Sequence, residues 1–158
     1  MRCPLLIIIF FWLCHAGLPP TWAQTQPVLL VRSYDTQKTI LSIPLNYGQT
    51  LTLRYIHSVD RTPVFEVFTA DRDHGLVLEE TYFRQFGAGM GHWPGHGKVV
   101  SDGEWIRIIN IHRALGRFVL RVGSLGVDHT LIMHGKEWNL SKRAPGCRVE
   151  VLLAANDE

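Results

Sequence analysis

Beyond residue 24, no stretch of the chain holds a helical repeat of apolar residues long enough to pack as a helix. The apolar segments are short, rich in β-branched and aromatic residues, and closed by Gly, Pro, Asp or Asn, the punctuation of strands joined by turns. That pattern predicts strands near Val28 to Tyr34, Thr39 to Leu45, Thr50 to His57, Val64 to Thr69, Leu76 to Phe83, Trp105 to His112, Phe118 to Val122, Val127 to Met133 and Arg148 to Leu153. Asp73-His74-Gly75, Asp102-Gly103 and Leu115-Gly116-Arg117 supply turns between them. Nine short, mostly antiparallel strands suit an all-β fold, a β-sandwich first and a closed β-barrel as the alternative.

Residues 1–23 have the pattern of an export signal peptide. Arg2 gives a positive start, Leu5 to Leu13 an apolar run, and Thr21-Trp22-Ala23 a cleavage signature with small outer residues. The run is short beside the roughly 20 apolar residues that span a bilayer. Cleavage before Gln24 is therefore expected, giving a periplasmic or secreted product; retention of the segment as an N-terminal anchor is the alternative. Residues 24–158 are expected to form one all-β domain with no transmembrane span. Cys3 and Cys14 leave with the leader, so Cys147 has no internal disulfide partner. It shares strand parity with Val149, Val151 and Leu153, which predicts a small buried apolar side chain.

Charge excludes one class of function. The chain carries 16 basic and 14 acidic residues, interspersed, and a nucleic-acid surface needs a basic stripe to displace counterions from phosphates. Ser141-Lys142-Arg143 is too short to be one.

The densest chemistry lies in Tyr55-Ile56-His57-Ser58-Val59-Asp60-Arg61-Thr62-Pro63-Val64-Phe65-Glu66. Leu51, Leu53, Tyr55 and His57 share one face of an extended segment. A turn at Asp60 to Pro63 then folds the aromatic run Val64 to Phe68 back as a hairpin. With Ser58 facing Pro63, Tyr55 faces Glu66, and Tyr55, His57 and Glu66 share one surface; a one-residue slip would separate them. An inward imidazole must find partners or lose solvation, at about 1–3 kcal/mol. Tyr55 and Glu66 are the expected partners, in a pocket or in a satisfied polar plug. Ser58 lines that site, and Asp60 and Thr62 organise the turn.

Phe86 to Gly97 is too rich in glycine for a strand and too long for a hairpin turn. Gly87, Ala88 and Gly89 could present backbone N–H groups to a small organic anion and form the opposing wall of the hairpin site. His92 and His96 are low-ranked metal candidates, because Trp93-Pro94-Gly95 between them breaks the helix that would align them. No cofactor is expected. Ser58 beside His57 is a poor nucleophile and base pair, since neighbouring strand residues point to opposite faces, and no Gly-x-Ser-x-Gly elbow occurs. Catalysis is not the favoured reading.

The hairpin Tyr55 to Glu66 followed by Phe86-Gly87-Ala88-Gly89 resembles the family known as domain of unknown function 1850. Members are small exported bacterial proteins, often encoded beside TRAP transporters of the TAXI type, which are served by a soluble solute-binding protein. The resemblance implies an extracytoplasmic accessory role with a permease or solute-binding protein as partner, and no established reaction. Two positions depart from the pattern: Asp60 stands where many relatives carry Glu, and Gly91 where proline often closes the loop. A stand-alone periplasmic protein that binds a small ligand or metal is the alternative.

Overall fold

A computed structural model describes residues 26–86 and 97–154. Eleven strands follow in chain order: β1 Val28–Ser33, β2 Thr39–Pro44, β3 Thr50–Ile56, β4 Pro63–Asp71, β5 Gly75–Phe83, β6 Lys98–Ser101, β7 Ile106–Ile109, β8 Arg113–Arg121, β9 Thr130–Met133, β10 Lys136–Asn139 and β11 Arg148–Ala154. A single helical turn, α1 Leu140–Arg143, separates β10 from β11. Among the described residues no helix is long and apolar enough to cross a membrane.

The all-β antiparallel architecture is as expected, built as one curled sheet. Its strands run in the order β10-β9-β3-β4-β5-β8-β11-β1-β2, with β7 pairing the far end of β5 and β6 pairing β7. The outermost strands of that path do not pair with each other, so the sheet forms a half-barrel and not a closed one. Curling brings one face inward over a common core: Leu29 and Val31 from β1, Leu51 and Leu53 from β3, Phe68 from β4, Leu131 from β9, and Val149 and Val151 from β11. Phe68 stacks on Phe118 of β8 at 5.2 Å. Each such side chain contributes about 1.5–3 kcal/mol on burial.

β8 turns the corner. Its first residues pair with β5, its last five with β11. The turn expected at Leu115-Gly116-Arg117 is instead strand interior. Gly116 takes φ +65° and Gly75 φ +69°, where the register between β5 and β8 shifts. A Cβ on Gly75 would lie 2.5 Å from the Gly116 carbonyl oxygen, so only a residue without one lets the two backbones approach.

Other departures from expectation have local causes. β7 is shorter than the predicted strand because Asn110 and His112 adopt φ +56° and +47°. β9 begins only at Thr130 because Asp128 sits at φ +53°. Cys147 is exposed, contrary to the parity argument. It precedes β11 by one residue, and its carbonyl receives the Val122 N–H at 2.9 Å while the side chain faces out. The expected signal peptide, residues 1–23, lies outside the described residues.

Candidate functional site

β3 and β4 form the expected hairpin in a different register. Tyr55 faces Val64 and Leu53 faces Glu66, two residues from the expected pairing. A slip of two preserves side-chain parity, so Tyr55 and Glu66 still share the inner face, now as diagonal neighbours. The Tyr55 hydroxyl donates to Glu66 Oε1 at 3.3 Å. Burial pushes the Glu66 carboxyl above the usual carboxylate range, opposed by the Tyr55 hydrogen bond. Burial, then the nearby Glu66 charge, raises the Tyr55 phenol. Both groups are thus biased toward their neutral forms, and a neutral carboxyl can donate as well as accept.

Beyond β3 the backbone closes a four-residue loop. The His57 N–H donates to the Thr62 carbonyl at 2.9 Å, and the Arg61 N–H to the His57 carbonyl at 3.0 Å. Arg61 takes φ +56° to complete the reversal. Among the described contacts, Asp60 lies at the His57 Nδ1. Its Oδ2 lies 2.9 Å away, and its own N–H approaches the same nitrogen at 3.3 Å. Nδ1 can serve the carboxylate only when it carries a proton, and the amide only when it does not. Thr62 Oγ1 is buried without a hydrogen-bond partner among the described residues. Ser58 is exposed, as is Arg61.

The structure therefore gathers Tyr55 with Glu66 on the inner face and His57 with Asp60 and Thr62 at the loop, and turns Ser58 outward. Gly87, Ala88 and Gly89, and the metal candidates His92 and His96, lie outside the described residues. No three His, Cys, Asp or Glu side chains are grouped to hold a metal among those that are described.

Sequence reasoning gave His129 no place beside the hairpin. It is 8% exposed, and its ring lies 5.5 Å from that of Tyr55. Its Nδ1 accepts the Gly123 N–H at 2.9 Å, which fixes the neutral tautomer with the proton on Nε2. Burial lowers its pKa, partly offset by the Asp128 charge. The His129 N–H donates to Ser141 Oγ at 3.0 Å, and its carbonyl accepts from Leu140 N at 2.8 Å. One histidine thus ties the 123–128 loop and α1 to the inner face beside Tyr55. The signal was its place in an apolar run, Val127 to Met133, where a polar ring must be satisfied locally.

A second polar knot backs this corner on the outer face. Arg54 pairs with Asp128 and Glu137, each at 3.1 Å. Asn139 Nδ2 donates to Asp128 Oδ1 and to Thr130 Oγ1, while its Oδ1 caps α1 by accepting from Lys142 N at 2.7 Å. The described residues of the hairpin site thus offer hydrogen-bond donors and acceptors.

Comparison with curated proteins and with solved structures gives no match. Residues 51–140, which run from β3 to the start of α1 and include the hairpin, its loop and His129, match the family described as Domain of unknown function (DUF1850), and the chain belongs to that family.

Proposed function

We propose that this chain is an exported, non-catalytic accessory or binding protein that works beside a TAXI-type TRAP transporter and engages its partner through the β3–β4 hairpin. The observation that carries this reading is the inward pairing of Tyr55 with Glu66 next to the His57-Asp60-Thr62 loop, inside the segment that defines the family. Polar groups in such a position are disfavoured unless they are used or satisfied. Here Thr62 Oγ1 is left over, and Arg61 and Val59 stand exposed at the tip for a partner to reach.

Affinity purification of the tagged chain from native membranes tests this. Permease or solute-binding protein should co-purify with the wild type and fall away with the Arg61→Glu/Val59→Asp double variant, whose changes are confined to exposed positions. Recovery of no transporter component, together with unchanged solute uptake in a deletion strain, removes the proposal.

A further inference from the structure

The outer face of β8, β11 and β1 is basic in a way that no run of the sequence reveals. On β8 the exposed residues are Arg117, Val119 and Arg121, while Phe118 and Leu120 between them turn inward to the core. By the same alternation Arg148, Glu150 and Leu152 point outward on β11, and Leu30 and Arg32 on β1. Strand pairing sets these side by side. Arg121 faces Arg148 and Val119 faces Glu150, which on its other flank faces Arg32. Four arginines from three strands thus share one surface.

Two observations show that their charge is not used up within the fold. Glu150 is 5% exposed, and its one carboxylate serves two of them: Arg32 Nε donates to Oε2 at 2.9 Å, and Arg117 Nη1 lies 3.2 Å from Oε1. Arg121 stands directly opposite Arg148, a placement that like charges disfavour. Arg148 is drawn to the β1 side, where it pairs with Asp35 and lies over the Tyr34 ring at 4.9 Å. Arg121 has no ion pair or hydrogen bond among the described residues. Four positive charges against the two negative ones of Glu150 and Asp35 leave an excess of two, as large as the formal excess of the whole chain.

The arrangement also says what kind of anion would meet it. Arg32 and Arg117 are held at Glu150 and Arg148 at Asp35, so the four heads do not close on one small ion. They offer separate contacts across the strands, and a guanidinium bound on one side keeps donors free for a phosphate on another. Val119, 50% exposed, and Tyr34, 44% exposed, stand among them; a phenol with an apolar body and a polar tip suits the level of lipid headgroups. A folded acidic partner would have to carry its carboxylates at matching fixed points, whereas lipids move sideways to each arginine.

We propose that this face rests on a bilayer of anionic phospholipid, with the guanidinium groups of Arg32, Arg117, Arg121 and Arg148 on headgroup phosphates and with Val119 and Tyr34 seated between them. The surface is separate from the hairpin, whose strands β3 and β4 lie on the far side of β5 in the sheet.

Co-sedimentation of the full chain with vesicles of phosphatidylglycerol and phosphatidylcholine in equal parts tests the assignment, with pure phosphatidylcholine vesicles as reference. Residues 1–23 are the same in every arm, so their contribution cancels in the ratios. Binding should favour the anionic vesicles and fade at about 1 M salt, where the screening length falls to about 3 Å. Arg121→Glu changes the face by two charges and should weaken binding about twentyfold. Its new carboxylate faces Arg148, so the variant should melt no lower than the wild type, which separates lost binding from lost folding. Arg117→Gln, which leaves Arg32 on Glu150, should weaken binding about fivefold. Arg61→Glu/Val59→Asp should bind vesicles as the wild type does, so failure here and failure of the hairpin proposal are distinguishable. Equal binding to both kinds of vesicle, unchanged binding in Arg121→Glu, or displacement by millimolar glycerol phosphate overturns the assignment. Absence of vesicle binding with loss of transporter co-purification in Arg121→Glu overturns it in favour of an acidic protein.

Discussion

The Tyr55 hydroxyl reaches Glu66 Oε1 across 3.3 Å although the residue that faces Tyr55 on the neighbouring strand is Val64. A phenol is long enough to bridge such a diagonal, and a shorter hydroxyl would not be.

Tyr55→Phe removes the donor and leaves a buried carboxyl oxygen without it. We expect a loss of about 1–3 kcal/mol in unfolding free energy, read from urea denaturation at neutral pH. A change below 0.5 kcal/mol would show that the bond contributes nothing net at a site this dry.

Glu66 and His129 should pull the pH dependence of stability in opposite directions. Burial raises the Glu66 pKa in the folded state from 4.5, so the folded protein holds that proton longer than the unfolded chain, and stability falls as pH rises from 4.5 through the folded value. Burial lowers the His129 pKa from 6.5, so the unfolded chain takes that proton first, and stability falls as pH drops below 6.5. Relative to wild type, Glu66→Gln should therefore gain stability with rising pH through this window. His129→Asn, whose Oδ1 can replace Nδ1 as acceptor for Gly123, should lose it. Melting temperatures between pH 4 and pH 8 decide, and parallel curves for the three proteins would refute the linkage.

Arg61→Gly should stabilise the hairpin. Arg61 sits at φ +56°, where a side chain adds roughly 1 kcal/mol of strain that glycine avoids, less the entropy glycine adds to the unfolded chain. The expected net gain is up to about 1 kcal/mol by denaturation. If partner recovery drops in the same variant, the arginine side chain is needed for contact and not for folding.

Gly75→Ala and Gly116→Ala should differ sharply, although both residues have positive φ. The new methyl at 75 meets the Gly116 carbonyl oxygen at 2.5 Å, whereas the one at 116 has its nearest neighbour at 3.7 Å. We expect more than about 3 kcal/mol lost at 75, against about 1–2 kcal/mol at 116 from backbone strain alone. Equal effects would mean that the strands part easily at this point.

The strands of the hairpin were legible because alternation fixes which face each side chain takes, and parity survived a register error of two between Tyr55 and Glu66. The register itself was not legible: a loop of four residues fits this segment at more than one place, and the positive φ of Arg61 closes it between His57 and Thr62 and not between Ser58 and Pro63. β10 was missed because Lys136-Glu137-Trp138-Asn139 is an edge strand with a single apolar residue, and so shows no alternation. Cys147 misled for a related reason, since parity counts only inside a strand and β11 begins one residue later. His129 acquires its role from Gly123, Ser141 and Tyr55, contacts that only the folded chain assembles.

β8 is the one strand that belongs to both arms of the sheet, and this has a bearing on where the chain can be cut. Residues 51–140 keep β8 but lack β1, β2 and β11. A fragment trimmed to those limits would strand Phe118 and Leu120 without the ladder that seats them and lay Leu51, Leu53 and Phe68 open to water. The recognisable segment is thus a roofless portion of the molecule, and aggregation is the fate to expect of it when expressed by itself.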